Sequence, residues 1–417
     1  MPSTFVYAVI VVMFIVDLTI SLINYRHRNQ PIPAIVEGLY DEEKYHNWLN
    51  YTMETLRFRL ITKTMSTVLI LALLASGFFG LIERWSNQWF SNPVLQTLAF
   101  LGMIYLLQFL FSIPFSYYAT FVIEEKFGFN KTTLKTFVID RLKNLLLAAI
   151  LGSLLVWLLQ SLYLAFTDNL WLFLLTAWAA LCVIMVVIIF LSKYFVKIFN
   201  KLTPLDEESE LYQRITSLAT QVGFSVSAIS EMDASRRSTK LNAFFSGLGK
   251  TREVVLYDTL MEKMDDDQII AVLAHELGHA VHKDVLRMLL QQFIVSGLYL
   301  VLIGFVLQSD ALAQAFGLSG AHFGFGLILF GLLISPADLL LSIPLNALSR
   351  KAEYAADAFA AEHAEPEAIM GALRVLAQEN LSNLNPHPLY VKIHYTHPPI
   401  AQRLQAIRDG HVSKSSA

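Results

Sequence analysis

The stretch DDDQIIAVLAHELGH, residues 265–279, decides how the rest of this chain is interpreted. It opens with three aspartates, and such residues cap a helix N-terminus and complement the positive end of the helix dipole. Apolar residues then recur at helical spacing, as at Ile269, Leu273 and Leu277. The pattern predicts one continuous helix with a single buried face.

His275 and His279 stand four residues apart on this predicted helix, so both imidazoles point to the same side. Two such nitrogens suit one zinc ion, and Glu276 lies beside them, where it can take a proton from an activated water. The alternative is a chance HExxH sequence or a pair of structural histidines. The surrounding helix favours the metal site.

A catalytic zinc ion needs a third protein ligand and one open position. A longer zinc motif would place a histidine at position 285, but that residue is Val285. The Ala-rich helix predicted over 349–360 offers Glu353 instead, with Asp357 one turn later on the same face. We expect Glu353 to complete a His-His-Glu site for one zinc ion per chain. We expect Asp357 to accept the second ring N–H of a ligand histidine. An exposed helix with ordinary i, i+4 charges is the alternative.

The composition of the chain predicts a membrane protein. The 417 residues are 55% hydrophobic and only 16% charged, against roughly 25% charged in soluble domains. A purely soluble enzyme and a disordered or fibrous chain are therefore excluded. The net charge of -3 gives no reason to expect nucleic acid as a partner. The single cysteine, Cys182, excludes an intramolecular disulfide framework and a cysteine-rich metal site.

Seven apolar runs are long enough to cross the roughly 30 Å hydrocarbon layer of a bilayer. The first run lacks a basic leader and an obvious cleavage site, so it is predicted to be a retained anchor. Asp17 and Asp338 are the only carboxylates within the runs and should face protein or water. The runs occupy residues 4–23, 64–82, 98–121, 145–166, 170–191, 289–308 and 323–348.

Positive charge predicts the orientation of these spans. Loops 24–63 and 122–144 carry six and five Lys or Arg residues, whereas the alternate short connections carry only Arg84. We therefore expect the N-terminus outside and the C-terminus in the cytosol.

The predicted domains follow from the same assignment. The chain divides into helices 1–191, a first protease segment 192–288, helices 289–348 and a second protease segment 349–417. Segments 192–288 and 349–417 both lie on the cytosolic side and should fold together as one α+β zinc metalloprotease domain.

In this order, the features resemble the type I CAAX prenyl proteases, a family of seven-span gluzincin metalloproteases. The resemblance rests on HELGH at 275–279, EYAAD at 353–357 and PFSYYATFVIEEKFGFN at 114–130. It implies a mostly α fold, with membrane helices forming a barrel around a water-filled chamber and zinc at its cytosolic end. It also implies hydrolysis of peptide bonds near the cytosolic membrane face, where the family removes the C-terminal tripeptide of prenylated proteins.

The segment LNAFFSG at 241–247 resembles the strand on which this family aligns its substrate. An edge strand with unpaired backbone groups can hold an extended peptide, with Asn242, Ala243 and Phe244 as the candidate contacts. A plain buried strand is the alternative.

The segment HPPIAQR at 397–403 resembles the C-terminal motif of the family. The resemblance implies that His397 donates to the developing oxyanion and that Arg403 supports the site. Taken alone, a histidine before two prolines is more often a turn residue.

The expected partners are the lipid bilayer and a peptide or membrane-tethered protein substrate, lipidated substrates included. A protease that removes damaged membrane proteins is one alternative. A transporter or inactive scaffold is another, although the intact metal motifs argue against it. The length and the absence of an evident reticulum-retrieval tail favour a bacterial inner-membrane protein; in a eukaryote, the endoplasmic reticulum membrane is expected.

Overall fold

The computed structural model describes residues 2–28, 30–246 and 252–415. Over these residues the chain is mostly helical and carries one small sheet, which confirms the predicted fold class. The helices run in chain order as α1 (Pro2–His27), α2 (Glu42–Ala75), α3 (Phe78–Trp89), α4 (Pro93–Tyr118), α5 (Leu134–Ala165), α6 (Leu170–Phe199), α7 (Glu210–Gln221), α8 (Asp258–Lys263), α9 (Asp266–Val281), α10 (Asp284–Leu307), α11 (Asp310–Gln314), α12 (Phe323–Leu333), α13 (Ser335–His363), α14 (Pro366–Glu379), α15 (Pro388–His394) and α16 (Ile400–Ser415).

Helices able to cross a membrane make up most of the N-terminal half. In the described chain six helices are long and apolar enough: α1, α2, α4, α5, α6 and α10. Helix α4 continues through a π-helical turn, Ala119–Glu124. Helices α12 and α13 form a seventh crossing if this pair, bent by 54°, counts as one span. The bend falls just before Pro336, which has no N–H to donate and is tolerated in the first turn of a helix.

The second predicted span, 64–82, covers parts of two helices in the structure, the end of α2 and the start of α3. Helix α2 starts well before it, where the Asp41 side chain caps the first turn, so much of the predicted loop 24–63 is helical. The helix ends before Gly77, whose left-handed φ of 71° turns the chain into α3. Hydropathy locates the lipid-facing part of α2, whereas caps and glycine determine its ends.

Both intramembrane aspartates have partners. Asp17 on α1 forms an ion pair with Lys63 on α2. Asp338 on α13 accepts a hydrogen bond from the Tyr299 hydroxyl on α10. Both carboxylates line a cavity of about 810 Å³ among the membrane helices. They therefore face protein and a cavity, as expected for carboxylates at membrane depth.

A four-stranded sheet accompanies the helices that follow α6. Its strands are β1 (Leu202–Pro204), β2 (Ala228–Met232), β3 (Ala243–Ser246) and β4 (Glu253–Tyr257), in the order β1-β2-β4-β3. Strands β2 and β4 are parallel, and the two outer strands pair antiparallel with their neighbours. Among the described residues, β3 thus forms an edge of the sheet with one side unpaired.

Helix α9 lies in the centre of the largest hydrophobic core. It packs against α7, α13, α14 and β3, and its residues Leu273 and Ala274 are fully buried. Residues from both 192–288 and 349–417 contribute to this core, which explains why α9 is apolar on more than one face. The predicted loop 24–63 contributes as well, through Val36, Leu39 and Tyr40 before α2 and Trp48 on α2.

Candidate metal centre

Three side chains converge where α9 meets α13. Ligand-type atoms of His275, His279 and Glu353 all lie within 4.8 Å of one another. The Nε2 atoms of His275 and His279 are 3.5 Å and 3.3 Å from the two carboxylate oxygens of Glu353. Glu353 Oε2 is buried and accepts no hydrogen bond from the described residues. An orphaned carboxylate oxygen beside two imidazole nitrogens fits a divalent metal that takes nitrogen and oxygen ligands.

Two aspartates orient the histidine rings. His275 Nδ1 is 2.9 Å from Asp357 Oδ1, the partner expected from the sequence. His279 Nδ1 is 3.0 Å from Asp284 Oδ2, a partner that sequence reasoning missed. In both rings the Nδ1 contact leaves Nε2 directed at Glu353, which is how carboxylates position metal-binding imidazoles.

The backbone break after α9 explains why Asp284 could not be foreseen. In a continuous helix, residues five apart lie about 140° around the axis from each other, so Asp284 would point away from His279. The chain instead turns at Lys283, a non-glycine residue with φ 59°, and α10 starts in a new direction. Helix α9 therefore does not continue into α10.

Gly278 sets the distance between α9 and α13. A Cβ atom at this position would lie 3.0 Å from the Ala356 Cα and 3.1 Å from the Phe359 Cβ. Such contacts are tighter than most Cβ contacts in proteins, so a larger residue at this position would push α9 and α13 slightly apart. The close approach brings Glu353, one turn before Ala356, within reach of both histidines.

Arg403 on the C-terminal helix α16 contacts both Asp357 and Glu353. Its Nε and Nη2 donate to the two oxygens of Asp357 at 2.8 Å and 2.6 Å. Its Nη1 lies 3.8 Å from Glu353 Oε2. Bidentate guanidinium pairs are strong and directional, so Arg403 fixes Asp357, and Asp357 in turn fixes His275.

His397 reaches the same carboxylate from a more open position. Its Nε2 lies 3.2 Å from Glu353 Oε1, and its Nδ1 lies 2.9 Å from the Thr396 hydroxyl. The side chain is 63% exposed, in contrast to the buried Glu353. This combination places an imidazole N–H at the solvent side of the cluster, where a substrate carbonyl could approach.

Glu276 lies on the same helix between the two histidines. Burial raises the pKa of its carboxyl group, and the nearby His275 and His279 partly offset that rise. For His279, burial disfavours the imidazolium, but hydrogen bonds to Glu353 and Asp284 outweigh it and raise the pKa to about 9. The site thus holds a partly buried carboxyl group with a raised proton affinity, which suits general base chemistry.

The predicted substrate strand lies beside α9. The Asn242 carbonyl accepts from the Tyr257 N–H at 3.2 Å, so the Asn242 backbone faces β4. Along an antiparallel strand, the N–H and C=O groups of successive residues point alternately to the two sides. The N–H and C=O groups of Ala243 and Phe245 therefore point to the open edge of the sheet. The Ala243 N–H donates to the Asn242 side chain at 2.9 Å, while Phe244 packs its ring against Tyr257. Phe245 was not among the predicted contacts.

Two family models match the chain in succession. Residues 21–201 match the family described as CAAX prenyl protease N-terminal, five membrane helices. Residues 205–410 match Peptidase family M48 and include every residue of the candidate metal centre. Fold and site together therefore define an integral membrane metalloendopeptidase that spans the membrane several times.

Relatives that align over most of this chain identify its family. The chain is 32% identical to CAAX prenyl protease 1 of Saccharomyces cerevisiae, covering 90% of this chain and 88% of the relative. It is 34% identical to the probable CAAX prenyl protease 1 of Schizosaccharomyces pombe, covering 92% and 83%. The crystal structure of S. mikatae Ste24p superposes with a TM-score of 0.92 at 29% identity, covering 98% and 99%. The chain belongs to the CAAX prenyl protease family.

Proposed function

We propose that this metalloendopeptidase uses zinc, held by His275, His279 and Glu353, to cleave peptides at the cytosolic membrane face. The observation that carries the proposal is the buried, orphaned Glu353 oxygen between two oriented imidazole nitrogens. We further propose that segments 192–288 and 349–417 act as one protease domain, because they share the core around α9.

The roles of the chain's own residues follow from their positions. Zinc, when bound, supplies Lewis-acid activation of the attacking water and of the scissile carbonyl. Glu276 takes the proton from the water and returns it to the leaving amine. His397 donates a hydrogen bond to the oxyanion that forms on the carbonyl. Arg403 holds Asp357, which keeps His275 in place.

The edge strand β3 provides a place for the substrate backbone. An extended peptide that pairs with the open edge would bond to the Ala243 carbonyl and to the Phe245 backbone, flanked by Asn242 and Phe244. The relatives are named CAAX prenyl proteases, which supports prenylated proteins as the substrate class. The family resemblance implies that their C-terminal tripeptide is removed.

The charge distribution supports the cytosolic placement. Loops 24–63 and 122–144 hold eleven Lys and Arg residues against one, Arg84, in the alternate short connections. The positive-inside rule then favours a cytosolic site, beside the inner membrane of a bacterium or the reticulum membrane of a eukaryote.

A sidedness assay tests this function. In sealed vesicles of known orientation, a membrane-impermeant farnesylated peptide should be cleaved only when it is added to the cytosolic face. A chelator should abolish the activity, and added zinc should restore it. The same peptide without its lipid should be a poorer substrate, since membrane tethering raises its local concentration. Equal cleavage from the outer face, or cleavage unaffected by the chelator, would contradict the proposal.

Replacing His397 tests its assigned role. Loss of one oxyanion donor lowers kcat by roughly 10²–10³-fold, so His397→Ala should show a decrease of that order with little change in KM. Metal content should stay unchanged because His397 is not assigned as a ligand. If His397 only forms a turn before Pro398, the variant will instead melt at a lower temperature and keep its kcat. Turnover, metal content and melting temperature are measured on one preparation.

A further inference from the structure

A cavity of about 1140 Å³ lies between α2, the end of α4 with its π-helical turn, and the end of α14. None of the residues assigned above to the metal centre lines it. One wall is apolar and aromatic, formed by Phe58, Ile61, Phe115 and Tyr118. The lining also carries five charged residues: Lys44, Glu54, Arg57, Lys126 and Glu379. The cavity therefore suits a ligand with an apolar body and a charged end.

The cavity lies at the N-terminal end of the edge strand. Thr239 and Leu381 are among its lining residues. Between Thr239 and β3, the Leu241 N–H donates to the side chain of Asn380 at 3.1 Å, which ties this approach segment to the end of α14. A peptide that follows the edge of β3 towards residue 239 therefore runs directly to the cavity.

Strand direction determines which end of the peptide arrives there. An added strand pairs more stably with β3 when it is antiparallel, and its C-terminal end then points from Ala243 towards Thr239. Three residues of extended chain span about 10 Å. If the scissile bond lies opposite Ala243, the three residues after it reach the level of Lys240 and Thr239. The cavity is then placed to receive the released tripeptide.

The balance of charges around the cavity leaves one cation without a partner. Lys44 is 3.8 Å from Glu379, and Lys126 is 2.7 Å from Glu54. In the approach segment, Lys240 is 3.1 Å from Glu124. Arg57 is exposed and has no hydrogen bond or ion pair with any residue that the structure describes.

We propose that this cavity binds the C-terminal tripeptide of the substrate and that Arg57 binds its free α-carboxylate. The inference rests on the proposed function, since it names a subsite of the same reaction. A guanidinium group presents paired N–H donors that match the two oxygens of a carboxylate. The aromatic wall receives the side chains next to that carboxylate. Arg57 is thus a residue for substrate specificity, remote from the bond that is cleaved.

The test compares two peptides on the full-length enzyme in lipid nanodiscs. One is a farnesylated peptide ending in a free carboxylate, and the other is the same peptide ending in an amide. The wild-type enzyme should prefer the acid by about 10- to 100-fold in kcat/KM, the size of a hydrogen bond to a charged group. Arg57→Gln should bring the two peptides to similar kcat/KM values, mainly through a higher KM for the acid.

Arg59→Gln provides the matched control. Arg59 is an exposed arginine two residues further along α2, outside the cavity, where its Nη1 lies 3.4 Å from the Tyr390 hydroxyl. This variant should keep the preference for the acid. Equal cleavage of acid and amide by the wild-type enzyme overturns the carboxylate subsite but leaves the peptidase intact. A preference that survives Arg57→Gln overturns the assignment to Arg57. Cleavage of neither peptide by the wild-type enzyme counts against the proposed function itself.

Discussion

Glu276→Gln is expected to lower kcat by about 10²–10⁴-fold while the metal stays bound, because we assign both proton transfers to this residue. Glutamine keeps the size of the side chain and its place between His275 and His279 but cannot take a proton from water. The partly buried position of Glu276 makes bulk water a poor substitute. The measurement is single-turnover cleavage of a farnesylated peptide, together with elemental analysis of the same sample.

Glu262→Gln is the matched control for this experiment. Glu262 is an exposed glutamate on α8, shortly before α9. Its replacement should leave kcat unchanged. Near-normal turnover of Glu276→Gln would remove this residue from the mechanism, and loss of metal in that variant would give it a ligand role instead.

Glu353→Ala is expected to remove the metal and, with it, all measurable activity. Loss of a residue that hydrogen-bonds to a metal ligand typically lowers metal affinity 10–100-fold. Loss of a ligand itself should lower the affinity by more than about 100-fold. The alanine also removes the carboxylate that both His275 and His279 contact at present. Metal content after dialysis against a buffered zinc solution gives the affinity directly.

Lys351→Ala serves as the control on the same helix, since Lys351 is exposed and lies outside the site. It should bind metal like the wild type. Full metal occupancy in Glu353→Ala would show that another group supplies the third ligand, with His397, 3.2 Å from Glu353, as a candidate.

Much of the site could be predicted because it depends on short-range periodicity. His275 and His279 share a helix face, and so do Glu353 and Asp357. Helical spacing alone therefore predicts which groups point together. That the two helices meet is a long-range property, which the sequence suggested only through its resemblance to a family.

The features that escaped prediction depend on single backbone positions. Asp284 reaches His279 only because the chain turns at Lys283 in a conformation that hydropathy does not report. The outward direction of the Phe245 backbone depends on the register between β3 and β4. The packing role of Gly278 depends on its close approach to Ala356, which is 78 residues away in the sequence.

The order of the ligands along the chain has a consequence for biosynthesis. His275 and His279 emerge from the ribosome before the last two membrane crossings, whereas Glu353 and Arg403 emerge after them. A nascent chain that has not yet inserted α12 and α13 therefore has two of the three proposed metal ligands and lacks the carboxylate. We therefore expect firm metal binding only once α13 is in the bilayer, so that the growing polypeptide is not exposed to an active protease site.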